Sequence, residues 1–253
     1  MGTYNLSGKT VLVTGAETGI GRAIALRALA DGANIAAAGL NTDLLDETME
    51  LARDVGPDER QVALPGDIRD VAQVQKMVDD TVAKFGRLDA VIANAGVMVV
   101  RRPFIEVTHE EWHNVMAVNL HGTFHTLQAV TRVLKAQGEG GDLMVTTSSN
   151  AVRPSPMASA YTAMKGAIQH MVRALAVELA PDMIRVNAIV PGLTQTPGTL
   201  SREGHIERGK KNIPMGEVMM PEEHAALVAF ALSGEAPQMT GTDLKIDGRR
   251  TSA

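Results

Sequence analysis

Thr10-Val11-Leu12-Val13-Thr14-Gly15-Ala16-Glu17-Thr18-Gly19-Ile20-Gly21-Arg22 runs from a β-branched stretch straight into three closely spaced glycines. Thr10–Thr14 reads as a buried strand and Gly19–Ala30 as the helix after it, closed by Asp31-Gly32. Glycines at 15, 19 and 21 let the backbone turn tightly, so that its N–H groups and the start of a helix can approach a pyrophosphate. A plain strand–helix turn uses glycine too. The strand before and the amphipathic helix after favour the phosphate-binding reading.

Outward from this turn the same alternation continues. Residues 34–38, 61–64, 88–93, 143–147, 184–190 and 244–246 read as further strands. Helical spacing fills roughly 42–55, 70–85, 108–136 and 159–179, and Pro221-Glu222-Glu223 opens one more helix with proline and acids in its first turn. Strands alternating with helices predict a parallel sheet with right-handed crossovers, and near-continuous apolar strands such as 88–93 agree with burial on two sides. No linker, repeat or low-complexity stretch divides the chain. The expectation is one domain over residues 1–253, an α/β Rossmann-type doubly wound parallel sheet of about seven strands with helices on both faces.

Composition narrows the function. The 253 residues carry 24 basic and 29 acidic side chains, a net charge of −5, with 3% aromatic residues, which argues against phosphate-driven nucleic-acid binding and base-stacking platforms. With no cysteine, disulfides, thiol nucleophiles and thiolate metal sites are excluded. The start, Met1 to Lys9, lacks a basic-then-apolar leader, Leu6 stands where a myristoylation motif needs Ser or Thr, and no uninterrupted apolar run is long enough to cross a membrane. Asn5-Leu6-Ser7 fits a glycosylation sequon, read as chance in a chain without an export signal. The expectation is a cytoplasmic protein with a small-molecule substrate and neither a nucleic-acid nor a membrane partner.

The glycine spacing differs from the G-x-G-x-x-G of long-chain dehydrogenases and resembles the turn of the classical short-chain dehydrogenase/reductase superfamily. Marks of that family recur in order: Asp67-Ile68 after the third strand, Asn94-Ala95-Gly96 after the fourth, Asn119 in the long helix, Ser148, Tyr161-x-x-x-Lys165, and Pro191-Gly192 after the sixth. The resemblance covers nearly the whole chain. It implies an oxidoreductase that moves a hydride between a nicotinamide cofactor and a small secondary alcohol or ketone, with polyols and sugars among the candidates. It places Gly15, Glu17, Thr18, Gly19, Ile20, Gly21, Leu40, Asp67, Ile68, Asn94, Ala95, Gly96, Tyr161, Lys165, Pro191, Gly192, Thr194 and Thr196 at the cofactor. Ser148, Asn150, Met157, Tyr161 and Leu193 face the substrate, 194–220 is a mobile lid, and no metal takes part.

Tyr161 and Lys165 are four apart on one predicted helix and share a face. A phenol ionises near pH 10, and each unit of depression needs about 1.4 kcal/mol. A lysine cation ~4 Å away offers about 4 kcal/mol at an effective dielectric of 20. On that arithmetic Tyr161 becomes the proton shuttle. By resemblance, Ser148 orients the reacting oxygen, with the adjacent Ser149 as second choice. Asn119 helps hold a relay water, and Lys165 also holds the nicotinamide ribose. A Tyr–Lys pair at this spacing is ordinarily a surface pair. Here Tyr161 is one of only two tyrosines and stands in register with the other marks.

For the cofactor, family members that prefer NAD carry an acid at the end of the second strand, and those that prefer NADP supply Arg or Lys there or before the second glycine. This chain has Gly39-Leu40-Asn41 and Thr18, so neither determinant is present. Glu17 and the lack of a cation favour NAD; NADP stays open.

His109-Glu110-Glu111-Trp112-His113 also satisfies the H-E-x-x-H pattern of zinc proteases. The simpler reading is a helix start, with Thr108 and Glu111 as a capping box. Other readings carried forward are a 3-oxoacyl-thioester reductase using NADPH and a non-catalytic NAD(P)-sensing protein. The resemblance implies a homo-oligomer, tetramer or dimer, and Met164, Ile168, Met171, Val172 and Leu175 suit packing within the subunit or between subunits.

Overall fold

A computed structural model describes residues 4–98 and 101–252; Met1–Thr3 of the N-terminal stretch lie outside them. Strands β1 (Thr10–Thr14), β2 (Asn34–Gly39), β3 (Gln61–Pro65), β4 (Ala90–Ala93), β5 (Gly141–Thr146), β6 (Ile184–Pro191) and β7 (Asp243–Ile246) form one sheet. All pairs are parallel, in the order β3-β2-β1-β4-β5-β6-β7. The order reverses between β1 and β4, which opens a crevice at the C-terminal ends of the strands.

The helices are α1 (Gly19–Ala30), α2 (Thr42–Arg53), α3 (Val71–Phe85), α4 (His109–Val115), α5 (Thr123–Gln137), α6 (Ser149–Val152), α7 (Ser159–Leu179), α8 (Pro197–Leu200), α9 (His205–Lys210) and α10 (Pro221–Leu232). Alternation along each strand divides the core. Leu12, Val91, Leu143 and Val186 pack with α3, α5 and α7, while Val11, Val13, Ile92 and Met144 pack with α1, α2 and α10. Ile168 and Val172 are fully buried in the first layer, Met171 and Leu175 pack against it, and Met164 joins Val115 and Ala160. These apolar residues of α7 therefore pack within the subunit. No helix among the described residues is long and apolar enough to cross a membrane.

Element ends lie within two residues of the sequence reading. One such difference has a clear cause. Gln137 clamps Leu88 through both main-chain groups (Nε2 to O 2.7 Å, N to Oε1 3.0 Å), so the β4 ladder starts only at Ala90. The long helix begins with the expected capping box between Thr108 and Glu111. Among the described residues no cluster of three or more His, Cys, Asp or Glu side chains is placed to hold a metal. The helix is not uniform, however: Met116–Gly122 winds as a π-helical segment between α4 and α5.

Candidate active site

The turn after β1 is built by close approach. A Cβ on Gly21 would stand 2.0 Å from the Gly15 carbonyl oxygen, and one on Gly15 2.8 Å from Ala95 Cα, so only glycines let α1 start this near the sheet. Asn94 Nδ2 donates to the carbonyls of Thr14 (3.2 Å) and Gly15 (3.1 Å), while its Oδ1 accepts from Thr146 Oγ1 (3.1 Å). Thr14 Oγ1 accepts in turn from the amides of Asn94 and Ala95. The side chain of Thr18 makes no cap bond, which leaves the first N–H groups of α1 without a side-chain partner.

A cleft of about 970 Å³ opens over this turn and continues across the ends of β4, β5 and β6, at the upper end of the usual range for ligand sites. Gly15, Glu17, Thr18, Gly19, Ile20, Asn94, Ala95, Gly96, Ser148, Asn150, Met157, Tyr161, Lys165, Pro191, Gly192, Leu193, Thr194 and Thr196 line it. Gly21 lies behind the turn. Asn119 and three other predicted residues lie outside the lining. Leu40 is exposed and donates its amide to Glu17 Oε1 (3.3 Å). Asp67 is paired with Arg69, which holds its carboxyl below the usual range. Ile68 is buried where Gly122 leaves room for it.

Ser148 ends the loop after β5 as the N-cap of α6, accepts from the Asn150 amide (3.1 Å), and lies near enough to the Tyr161 phenol to lower it. Ser149 turns elsewhere and accepts from Arg250 Nη1 (2.8 Å). One helical turn after Tyr161, the buried Lys165 donates from Nζ to the Thr146 carbonyl (2.8 Å), and this Nζ is 5.8 Å from the centre of the phenol ring. Burial pushes Lys165 down to about 8. Burial also raises Tyr161 above 10, and Ser148 and then Arg202 pull it partly back. The expected depression of the phenol by Lys165 is not found in the protein alone: burial raises it, and the opposing pulls come from Ser148 and Arg202.

Asn119 is fully buried in the π-helical segment. Its Oδ1 accepts from Val97 N (2.8 Å) and its Nδ2 donates to Val97 O (2.9 Å), so its carboxamide ties the segment to the loop after β4.

At the far end of the cleft, the Glu17 carboxylate lies beside Gly39 at the end of β2, where an added Cβ would stand 2.4 Å from Oε2. That oxygen is buried and has no hydrogen-bond partner among the described residues. Arg22, the nearby cation, is engaged by the carbonyls of Glu17 and Leu44, by Thr48 and by Glu47. An open backbone cradle, uncapped helix N–H groups and an unpartnered carboxylate oxygen together fit a dinucleotide, with the pyrophosphate at the turn and a ribose at Glu17.

Sequence reasoning missed the basic lining at the other end: Arg101, Arg153, Arg202, His205, Arg208 and Arg250. Their positions share no period, so nothing local marked them. The segment 194–220 is pinned at its base by a parallel bridge between Thr194 and Met219 and carries α8 and α9. Thr194 Oγ1 stands 2.9 Å from Nε2 of the buried His224.

A family profile described as enoyl-(acyl carrier protein) reductase matches residues 15–248. The chain is 36% identical over 243 residues to the short-chain dehydrogenase/reductase eriH of Hericium erinaceus, covering 94% of this chain and 96% of that one. It is 35% identical over 248 residues to the glucose 1-dehydrogenase of Gluconobacter oxydans, covering 97% and 92%. The crystal structure of a 3-ketoacyl-(acyl-carrier-protein) reductase from Brucella melitensis complexed with NADH superposes with a TM-score of 0.91 at 30% identity, covering 98% of this chain and 100% of that one.

Proposed function

We infer the reaction from one premise, that the chain belongs to the short-chain dehydrogenase/reductase superfamily: it is an oxidoreductase that moves a hydride between a nicotinamide cofactor and a CH–OH or C=O carbon of a small alcohol or ketone. The observation that carries this reading is the Ser148–Tyr161–Lys165 arrangement inside the cleft that also holds the glycine turn. When bound, the nicotinamide supplies the hydride donor or acceptor. Tyr161 Oη gives a proton to the carbonyl oxygen in reduction and takes it from the alcohol in oxidation. Ser148 Oγ orients the same oxygen. Lys165, anchored on Thr146, points its remaining donors toward the ribose. Asn119 is a positioning residue that fixes the loop at Val97.

NAD is the preferred cofactor. Glu17 brings to the end of β2 the carboxylate that the residue at 39 lacks, suited to ribose hydroxyls and repulsive to a 2′-phosphate. Residues 194–220 act as the substrate lid, closing over Leu193, Asn150 and Met157.

The test is a panel of small alcohols and ketones with both nicotinamides, followed at the absorbance of the reduced cofactor. Turnover that disappears in Tyr161→Phe, while NADH still binds, supports the assignment. Substantial activity in that variant overturns it. The likeness to the Brucella 3-ketoacyl reductase favours a second reading, reduction of a 3-oxoacyl thioester. An acetoacetyl thioester in the panel decides between the two.

A further inference from the structure

The Tyr161 end of the cleft is strongly cationic, although the chain as a whole carries a net charge of −5. Arg101, Arg153, Arg202, Arg208 and Arg250 line it together with His205, and the only carboxylate in the lining is Glu17, at the opposite end beside Gly39. Among the described residues none of these five guanidinium groups forms an ion pair with an acid. Arg250 is held by three neutral oxygens, Ser149 Oγ (2.8 Å), Asn150 Oδ1 (3.3 Å) and Ser155 Oγ (2.8 Å). Asp247, whose charge reaches Arg250, commits its own oxygens to the amides of Arg249 and Thr251 and to the Thr251 hydroxyl. Arg153 donates to the Arg250 carbonyl, and Arg208 to that of Glu203. Arg202 acts on the Tyr161 phenol through its charge.

Uncompensated like charges are costly to gather in a partly desolvated pocket. The cost is visible: burial first, then the charges of Arg153 and Arg101, pulls Arg250 below its ordinary value, and burial followed by Arg101, Arg202 and Arg208 does the same to His205. Such a cluster matches a carboxylate or phosphate, either of which a guanidinium fork can grip through two oxygens.

We propose that the substrate of this enzyme is anionic, an alcohol or ketone bearing a carboxylate or phosphate, with the anion held by Arg202 and Arg250 while the reacting carbon lies at Tyr161. The proposal rests on the reading of Tyr161 as the reacting end. It makes the lid a recognition element, because Arg202, His205 and Arg208 all belong to it, and the positive cleft raises the encounter rate with anions.

The test uses matched pairs with NAD and NADP: glycerol against glycerate and glycerol 3-phosphate, and sorbitol against gluconate. The expected kcat/KM is tenfold or more higher for an acidic member, and the carboxylate and phosphate arms show which anion is read. The acidic-to-neutral ratio should fall about tenfold in Arg202→Gln and Arg250→Gln, with Arg250→Lys in reserve if the glutamine variant does not fold. A ratio at or below one, or a ratio that these variants leave unchanged, overturns the proposal. If no member of any pair is turned over, calorimetric titration of the NADH-loaded protein with malonate and with inorganic phosphate decides instead. Saturable binding weakened by Arg202→Gln upholds the anion site even though the alcohol reading has failed; no binding of either anion overturns it.

Discussion

Tyr161 holds its proton tightly, because burial raises it above 10. With Tyr161 as the proposed proton donor, the protonated phenol is the reactive form, and carbonyl reduction would need no prior ionisation. Lys165, pushed down to about 8, is charged below that pH and loses its charge above it. The expected kcat/KM for reduction is therefore level up to about pH 8 and falls beyond, measured in a series of buffers at constant ionic strength. Two adjacent serines differ in their surroundings: Ser148 lowers the Tyr161 phenol, whereas Ser149 accepts from Arg250. Ser148→Ala should lower kcat by about 10²–10³, the usual cost of a lost oxyanion donor, whereas Ser149→Ala should act mainly on KM. Glu17→Gln should weaken NADH binding roughly tenfold, in line with the greater strength of charge-assisted bonds, and narrow the gap to NADPH; fluorescence titration of the reduced cofactors measures both. The sequence named Glu17 for its charge. That its carboxylate reaches the end of β2 came only from the fold.

Helix and strand alternation was readable because each element carries its own period, and turn residues mark the ends: Asp70 caps α3 through the Ala72 and Gln73 amides, and Gly86 closes it in the left-handed conformation. The π-helical segment was not readable from local spacing; only the resemblance marked its place, through Asn119 as a helix-kinking asparagine. Its core residue, Asn119, bonds both main-chain groups of Val97, 22 residues away, and Thr123 Oγ1 takes up the Asn119 carbonyl (2.7 Å). Nothing in the local spacing encodes a partner on another element. Asn119→Ala strips the Val97 N–H and C=O of their partners, so a loss of about 1–3 kcal/mol per unsatisfied group is expected. Denaturant unfolding reads that loss. A parallel fall in kcat with cofactor binding retained would show that the segment positions the loop rather than the dinucleotide.

Two buried groups give the molecule opposing responses to pH. His224 is pushed by burial down to about 4 from 6.5, so between those values the unfolded chain binds a proton that the native state refuses, and stability falls as pH drops through that window. Asp142 is pushed by burial up to about 6 from 3.8 despite its pairing with Arg185, so the native state binds the extra proton and stability falls as pH rises from about 4 to about 6. Relative to the parent, the Tm of His224→Gln should improve as pH is lowered from 7 to about 4.5, and that of Asp142→Asn should improve as pH is raised from about 4 to about 6.5. A difference from the parent that stays flat across its window would show that the group concerned is solvated in the native state. The amino-acid order was enough for the phosphate turn, the strand–helix alternation and the shared face of Tyr161 and Lys165, because each depends on groups within one turn or one period of the chain. The folded arrangement alone joined Ser149 to Arg250, carried the Glu17 carboxylate to Gly39, and gathered Arg101, Arg153, Arg202, Arg208 and Arg250 around one end of the cleft. Those contacts join residues far apart in the chain, and distance along the chain leaves no periodic trace of which side chains will meet.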